Sequence, residues 1–169
     1  MRDNKRQDRP REIKEFDEKV VKISRVSKKT KGGNKVGFTA LVVIGDRKGR
    51  VGVCLGKATD VLSAIKKGVR GAKKKLITIP LVNNRTIAHQ VNAKFGASHL
   101  VIKPAPEGTG VIAGGSVRAV LELAGVKDVV AKTLGTNNKL TNVSNTFAAL
   151  KTIKRTVEIK KALAVGIKS

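Results

Sequence analysis

The apolar residues in the first half of the chain fall into short runs that are typical of β-strands. Residues 18–26 set valine and isoleucine between polar residues, and residues 38–45 (FTALVVIG) are apolar almost throughout. Residues 46–49 have the D-x-x-G pattern of a tight turn, and residues 50–55 return as a second apolar segment. The pattern therefore predicts one strand followed by a hairpin.

The next segment changes to a helical period. From residue 58 to residue 75, apolar side chains recur at helical spacing, at Val61, Ile65, Val69, Ala72 and Leu76. Asp60 lies near the positive end of this predicted helix. The cations lie mainly off the apolar stripe, and no acid follows Asp60 to pair with them: Lys66, Lys67, Arg70, Lys73, Lys74 and Lys75. A solvated helix face is one interpretation, and we favour a helix end that faces phosphates.

The second half of the chain alternates strand and helix patterns. Pro80 and the pair Asn83–Asn84 mark the change of unit. Ser116 is the expected N-cap of the first helix in this half, and Gly125 is its expected terminator. The predicted elements are strands at 86–91 and 98–103, a helix at 114–124, a short strand at 126–134, a helix at 142–153 and a last basic helix at 156–164.

The order of these elements predicts an α+β protein with two small units. The first reads β-β-β-α and the second β-β-α-β-α, joined near residues 76–82. We divide the chain into a polar arm at 1–15, a first domain at 16–78, a second domain at 79–155 and a basic tail at 156–169.

The net charge of the chain indicates that this α+β protein binds a polyanion. The chain has 169 residues and a formal net charge of +24. Residues 1–18 hold six basic and six acidic residues, so residues 19–169 carry the whole excess, with 30 Lys and Arg against six acids. A surface of nearly one sign attracts nucleic acid, and the absence of a basic helix with a bulky aromatic face disfavours a membrane surface.

Other composition features exclude several classes. No apolar window reaches about 18 residues, which disfavours a membrane span, and the first residues lack the apolar core of a secretory signal. A single cysteine, Cys54, forms no internal disulfide and fits a reducing compartment. The four Phe, with no Trp or Tyr, disfavour base stacking on exposed rings and favour recognition of folded RNA through its backbone and shape.

The most basic segment, residues 27–37 (SKKTKGGNKVG), is expected to be a loop. Its lysines supply phosphate contacts, and paired glycines let backbone N–H groups approach phosphates. A mobile, solvated hairpin loop is the alternative, and the overall charge favours RNA contact. The predicted RNA contacts are Lys22, Arg25, Ser27, Lys28, Lys29, Lys31, Gly32, Gly33, Lys35, Arg47, Lys48, Arg50, Lys57, Lys66 and Lys67.

No catalytic, metal or cofactor pattern competes with this interpretation. Gly108–Gly115 precedes a predicted helix and raises the alternative of a nucleotide-binding, small-molecule kinase, but its spacing matches neither common phosphate-loop motif. His89, His99 and Cys54 match no zinc spacing. The acids after residue 18 are isolated and give no acid–base pair. We therefore expect no enzyme, no metal, no cofactor and no small-molecule substrate.

Several motifs together resemble the bacterial family of the fifth protein of the small ribosomal subunit, in unbroken order from about residue 16 to 153. The motifs are Lys31-Gly-Gly33, Ala40-Leu-Val-Val-Ile-Gly-Asp46, Gly49-Arg-Val-Gly52, Gly56-Lys57-Ala58, Phe95-Gly96, Lys103-Pro-Ala105, Glu107-Gly-Thr-Gly-Val-Ile-Ala-Gly-Gly115 and Arg118-Ala-Val-Leu-Glu-Leu-Ala-Gly125.

The resemblance implies a fold, a function and partners. It implies a first unit like a double-stranded-RNA-binding domain and a second unit with a left-handed β-α-β crossover, against the usual right-handed rule. It implies a structural protein that binds small-subunit ribosomal RNA, lies beside small-subunit proteins four and eight, and supports decoding accuracy near the messenger entry path. The expected location is the cytoplasmic ribosome, with an organellar ribosome left open. A general nucleic-acid chaperone that acts through charge alone is the other hypothesis.

The resemblance also assigns roles to single positions. Val26, Ser27 and Lys28 match the loop where changes confer spectinomycin resistance in the family. Gly110 and Arg118 match positions where changes alter fidelity, near the interface with protein four. The chain departs from the family pattern at 34–37, where the family has two arginines and an aromatic, and also at Ser116 and after residue 153.

Overall fold

A computed structural model describes the backbone of residues 15–166 and the side chains of residues 15–159. The predicted arm therefore lies outside the described residues except for Glu15, and so does the end of the predicted tail. The elements are β1 (Asp17–Thr30), β2 (Gly33–Gly45), β3 (Arg50–Ala58), α1 (Val61–Lys73), β4 (Ile77–Thr78), β5 (Leu81–Val82), β6 (Thr86–Ile87), β7 (Val91–Phe95), β8 (Ser98–Pro104), β9 (Val111–Ile112), α2 (Gly115–Leu123), β10 (Val129–Leu134) and α3 (Lys139–Gly166).

The first sheet is antiparallel with strand order β1-β2-β3-β4. Its central strand β2 explains the unbroken apolar run in the sequence. Ala40, Val42 and Ile44 are buried toward α1, while Leu41 and Val43 are buried on the opposite face against the second half of the chain. Because both faces of the strand are covered, every position is apolar instead of every other one.

Helix α1 lies very close to β3. Asp60 is the N-cap, and its carboxylate accepts a hydrogen bond from the Ser63 N–H at 3.1 Å. The buried face of the helix is made of small residues, Ala64, Gly68 and Ala72. A Cβ atom at Gly56 of β3 would lie 2.6 Å from the Gly68 nitrogen, so glycine at 56 is what permits this approach.

The predicted apolar stripe on α1 is therefore only partly right. Ile65, Val69 and Leu76 are half-buried at the edge of the contact, and Ala72 is buried in it. The contact itself runs through alanine and glycine, whose weak hydrophobicity gives little signal in a periodicity analysis. Leu62 is 68% exposed.

The second sheet has strand order β7-β8-β10-β9. Strand β8 is antiparallel to both β7 and β10, whereas β9 runs parallel to β10 and is linked to it through α2. This is the expected β-α-β crossover, and its left-handedness stays a prediction. The hydrophobic residues of α2 and α3 cover one face of this sheet, through buried side chains such as Val117, Leu121 and Leu150.

One hydrophobic core joins the two halves of the chain. Leu41, Val43 and Val51 of the first sheet belong to the same buried cluster as Val120 and Leu150. Where the two halves meet, the turn after β2 is hydrogen-bonded to the C-terminal end of α2.

Two backbone hydrogen bonds join the halves at this point. The N–H of Arg47 donates to the Leu123 carbonyl at 3.1 Å, and the N–H of Gly49 donates to the Ala124 carbonyl at 2.9 Å. Gly125 ends α2 as predicted, with φ +87°, and packs directly against Arg47.

Several sequence expectations are wrong in detail. Residues 27–37 are not a loop, because β1 continues to Thr30 and β2 begins at Gly33. The N-cap of α2 is Gly114 instead of Ser116, and it makes no side-chain capping bond. The predicted strand at 86–91 is split between β6 and β7, and the two last predicted helices are one continuous helix, α3.

Candidate nucleic-acid interface

Strands β1 and β2 continue beyond the sheet as a two-stranded ribbon, which we define as residues 26–37. Pairing of β2 with β3 stops at Phe38, opposite Ala58, whereas pairing with β1 continues to Thr30 opposite Gly33. Lys31 and Gly32 form the turn, and Gly33 has φ +122°, in the region that favours glycine. The Thr30 hydroxyl donates to the Gly33 carbonyl at 2.8 Å and tightens this turn.

The ribbon concentrates positive charge with no acid to balance it. Residues 25–35 are all exposed, and residues 19–45 contain no Asp or Glu. Lys28 lies directly opposite Lys35 in the register. Like charges at opposed positions destabilise a strand pair, and only an anionic partner turns this arrangement into a gain.

Both faces of the ribbon carry cations. Lys28 and Lys35 share a face with Lys57, because Lys57 is opposite Thr39 and side chains alternate along β2. Arg25 and Lys29 lie on the other face by the same alternation. The register thus distributes the predicted contacts around the ribbon instead of along one side.

An open groove forms where β3 leaves the edge of β2. Its cationic border is Lys28, Lys35, Lys57 and Lys67, and its apolar lining includes Val26, Val36 and Phe38. Lys67 comes from α1, so the helix contributes to the same groove as the ribbon. Val36 and Phe38 of this lining are not among the contacts predicted from the sequence, because an apolar side chain gives no charge signal.

Gly37 lies where the ribbon meets the end of β3. A Cβ atom at this position would lie 3.2 Å from the Ala58 carbonyl oxygen, which is tighter than most real contacts. A glycine here therefore lets the end of β3 approach β2 closely. The neighbouring Asn34 is exposed and lies opposite Lys29.

The predicted contacts Arg47, Lys48 and Arg50 lie at the other end of β2. Twelve strand steps separate Gly33 from Gly45, which is about 40 Å of extended chain. The structure does not bring these three residues together with the ribbon. They form a separate basic site at the turn after β2.

Arg50 is held by local partners. Its Nε donates to Asp46 at 2.6 Å, and its guanidinium lies 5.1 Å from the centroid of the Phe16 ring. Although partial burial raises the pKa of the Asp46 carboxyl, hydrogen bonds from the Arg50 side chain and the Lys48 N–H outweigh it and lower that pKa overall. Arg47 pairs with Asp17 at 2.7 Å. Arg47 and Arg50 therefore stabilise the turn, whereas Lys48 makes no ion pair with another side chain of residues 15–159.

The glycine loop before α2 is fastened by Asp128. This buried carboxylate accepts hydrogen bonds from the N–H groups of Gly108 and Gly110, both at 3.0 Å, and from Arg85 Nε at 3.0 Å. The Gly110 N–H and the Arg85 guanidinium lower the pKa of Asp128. Arg85 also pairs with Glu107. Backbone donors that a nucleotide phosphate requires are thus already bonded to a carboxylate, which argues against the kinase-like alternative.

Gly110 and Arg118, the two positions that the family resemblance associates with fidelity, lie before and after the N-terminus of α2. Gly110 has φ +75° and open space around it, so a larger residue there is strained by its backbone and not by a neighbour. Arg118 is exposed on α2 and donates to Glu122 at 2.6 Å. Glu122 also accepts from Lys19 at 3.1 Å, and the Arg118 hydrogen bond lowers the pKa of Glu122.

Within residues 15–159, no cluster of three or more His, Cys, Asp or Glu side chains is placed to hold a metal ion. The helices of the described part of the chain include none with the length and apolar character needed to cross a membrane.

Comparison with known proteins decides the family. Residues 16–80 match the family model for ribosomal protein S5, N-terminal domain, and residues 93–163 match the model for ribosomal protein S5, C-terminal domain. The chain belongs to the ribosomal protein S5 family. Its two S5 domains correspond to the β-β-β-α half and the β/α half described above.

Individual S5 relatives match nearly the whole chain. Small ribosomal subunit protein uS5 of Synechocystis sp. is 48% identical over 166 residues, which cover 96% of each chain. Small ribosomal subunit protein uS5c of Emiliania huxleyi is 47% identical over 91% of this chain and 98% of its own length, and uS5c of Cyanidium caldarium is 50% identical over 80% of each.

Proposed function

We propose that this chain is a structural constituent of the small ribosomal subunit and binds its ribosomal RNA through the ribbon and the adjoining groove. The names of its S5 relatives support the assembly, and the ribbon's geometry supports the contact. The observation that carries the contact is an exposed two-stranded ribbon with opposed lysines and no acid between residues 19 and 45. Phosphate groups are the partners that relieve this repulsion.

The ribbon suits the recognition of RNA by backbone and shape. Cations stand on both faces of the two paired strands, and the tip glycines add no bulk between backbone N–H groups and a phosphate. The proposed contacts are those predicted from the sequence, with the ribbon, Lys57 and Lys67 as one site. Lys48 at the far turn and Lys66 on α1 form separate, weaker contacts.

The finer assignments follow the family resemblance. We place the chain beside small-subunit proteins four and eight and near the messenger entry path, with Gly110 and Arg118 at the interface with protein four. Val26, Ser27 and Lys28, which match the positions of spectinomycin resistance in the family, lie on strand β1 of the ribbon, and we propose that they act by contacting RNA. The protein acts without catalysis, cofactor or metal, in a bacterial-type ribosome of the cytoplasm or of an organelle.

Association with small subunits tests this function. The protein, added to subunits that lack it, should co-sediment with them and remain bound through a high-salt wash that removes weakly held proteins. A protein that acts through charge alone should leave in the wash. Loss of the protein at the first salt step, or equal binding to unrelated RNA particles, contradicts a fixed ribosomal position.

A second measurement separates this function from a nucleotide enzyme. Equilibrium dialysis with ATP and Mg²⁺ should show no saturable binding, because the Gly108 and Gly110 N–H groups are bonded to Asp128. Saturable binding that disappears on substitution within residues 108–115 contradicts the structural role of this loop.

A further inference from the structure

The groove beside the ribbon has an apolar lining that phosphate contacts do not use. Its volume is about 410 Å³, and its apolar lining residues are Val26, Val36, Phe38 and Ala58. Val26 is 48% exposed, and Phe38 is only half-buried although it packs against the core beneath α1. Lysines alone suffice to bind phosphate, so apolar surface left open among them indicates a ligand with an apolar part.

The groove also contains hydrogen-bonding groups without partners. Pairing of β2 with β3 ends at Phe38 opposite Ala58, whereas β2 itself begins at Gly33. Over residues 34–37, the backbone N–H and C=O groups that point to the β3 side of β2 have no strand partner among the described residues. The hydroxyls of Ser27 and Thr59, which also line the groove, make no hydrogen bond within residues 15–159.

These features together match the chemistry of one nucleotide of RNA. A nucleobase has an apolar face that stacks on aromatic rings and an edge of hydrogen-bond donors and acceptors. Its flanking phosphates carry the charge that the cationic border of the groove attracts. That border consists of Lys28, Lys35, Lys57 and Lys67, and none of the described residues that line the groove is Asp or Glu.

Two other occupants fit the groove less well. A regular RNA duplex keeps its bases stacked and paired, so it offers only its backbone and leaves the apolar lining in water. A peptide that adds as a strand needs a longer open edge, because strands usually have about five to six residues and only residues 34–37 of this edge are open. Lysines beside an open edge also oppose strand addition.

We propose that the groove receives one unstacked nucleobase of small-subunit RNA. Val36 and Phe38 contact the face of the base, and the open edge of β2 bonds to its donors and acceptors. The inference rests on the proposed RNA-binding function and deepens it, since the ribbon then recognises one position of a loop or bulge in addition to backbone and shape. The scarcity of aromatic residues disfavours a platform for successive bases, but one ring suffices for one base.

Ultraviolet crosslinking of the wild-type chain to small-subunit RNA tests this contact. The complex is irradiated and digested with ribonuclease and trypsin, and nucleotide adducts are located by mass spectrometry. An adduct should appear within residues 36–38 of the peptide that trypsin releases after Lys35. Bound RNA that gives no adduct there above the level without irradiation overturns the proposal.

Replacing the ring gives a measurement of affinity. Phe38→Leu keeps an apolar side chain but removes the stacking surface, and it should weaken binding to small-subunit RNA by about 5- to 100-fold. The salt dependence of binding should stay unchanged, because no cation is lost. The matched control is Phe95→Leu, which removes a 49% exposed ring from β7, outside the groove, and should keep the wild-type affinity.

The combined results separate this inference from the function on which it rests. Urea unfolding checks that Phe38→Leu is folded, and the wild-type adduct decides the question if it is not. Unchanged affinity of folded Phe38→Leu, together with a lower salt dependence when Lys28, Lys29 and Lys31 are replaced by alanine, leaves a ribbon that binds only phosphates and overturns the nucleobase contact. If neither variant changes binding, the RNA contact of the ribbon fails as well.

Discussion

Replacing Lys28, Lys29 and Lys31 together by alanine removes three cations from the end of the ribbon without touching its core. All three side chains are exposed, and the backbone pairing of β1 with β2 does not depend on them. Each phosphate contact contributes about 0.7 to 0.9 to the slope of log affinity against log salt, so three contacts contribute about 2 to 3. Between 50 and 200 mM salt, the wild type should therefore lose about 20- to 40-fold more affinity than the variant.

The assay is filter binding to small-subunit RNA at four or more salt concentrations. The matched control replaces Lys127, Lys139 and Lys151 by alanine, which removes the same charge from exposed positions of the second half of the chain. The control should keep most of the wild-type slope. If the ribbon variant keeps the wild-type slope too, or if both triples lower it equally, the ribbon makes no particular phosphate contact and the reasoning is refuted.

Three further predictions concern the scaffold. Gly56→Ala should destabilise the protein by about 1 to 3 kcal/mol in urea unfolding, because the added Cβ meets the backbone of α1. The control Gly115→Ala, where the added Cβ meets no atom within 4 Å, should be neutral or stabilising. Equal effects of the two substitutions would contradict the close contact between α1 and β3. Asp128→Asn should speed amide hydrogen exchange at Gly108 and Gly110, and unchanged exchange would show that the carboxylate does not hold the loop. Hydrogen bonds lower the pKa of Asp128 in the folded protein, so the ionised carboxylate stabilises the fold. This contribution to the free energy of unfolding should be complete above the ordinary pKa of 3.8 and be lost as the pH falls through the lower pKa of the folded state. Urea unfolding at a series of pH values should show this loss in the wild type and a smaller loss in Asp128→Asn.

The hydrophobic pattern of the sequence was sufficient to predict the strands and helices that bury large side chains. The hairpin of β2 and β3 and the helices of the second half all rest on Val, Ile and Leu at the expected spacing. Helix α1 was found as well, but its contact surface was not, because Ala64, Gly68 and Ala72 pack against glycines of β3. Close packing of small residues depends on shape, and hydrophobicity alone does not reveal it.

The ribbon was mistaken for a loop for a different reason. Residues 27–37 bury nothing, so they carry none of the alternation that marks a strand at a core. Their strand geometry comes from continued pairing of β1 with β2 and from a two-residue turn at Lys31 and Gly32. The charge pattern still singled out this segment as the candidate RNA contact, because a run of lysines without acids is visible without a fold.

The candidate site could be predicted only in part. Charge selected Lys28, Lys35 and Lys57, which the structure brings together, but it could not separate them from Arg50, which is bonded to Asp46 at the far end of the strand. That distinction needs the register, since residues close in sequence to a turn lie far from the opposite end of a long hairpin.

Footprinting of small-subunit RNA tests the central claim most directly. Hydroxyl-radical cleavage of that RNA should be reduced at a few discrete backbone sites by the intact protein. A variant in which residues 28–35 are replaced by a two-residue Asn-Gly turn should lose part of that protection and keep its fold by circular dichroism. Diffuse protection over the whole RNA, or identical footprints with and without the ribbon, would contradict a fixed ribosomal site bound through the ribbon.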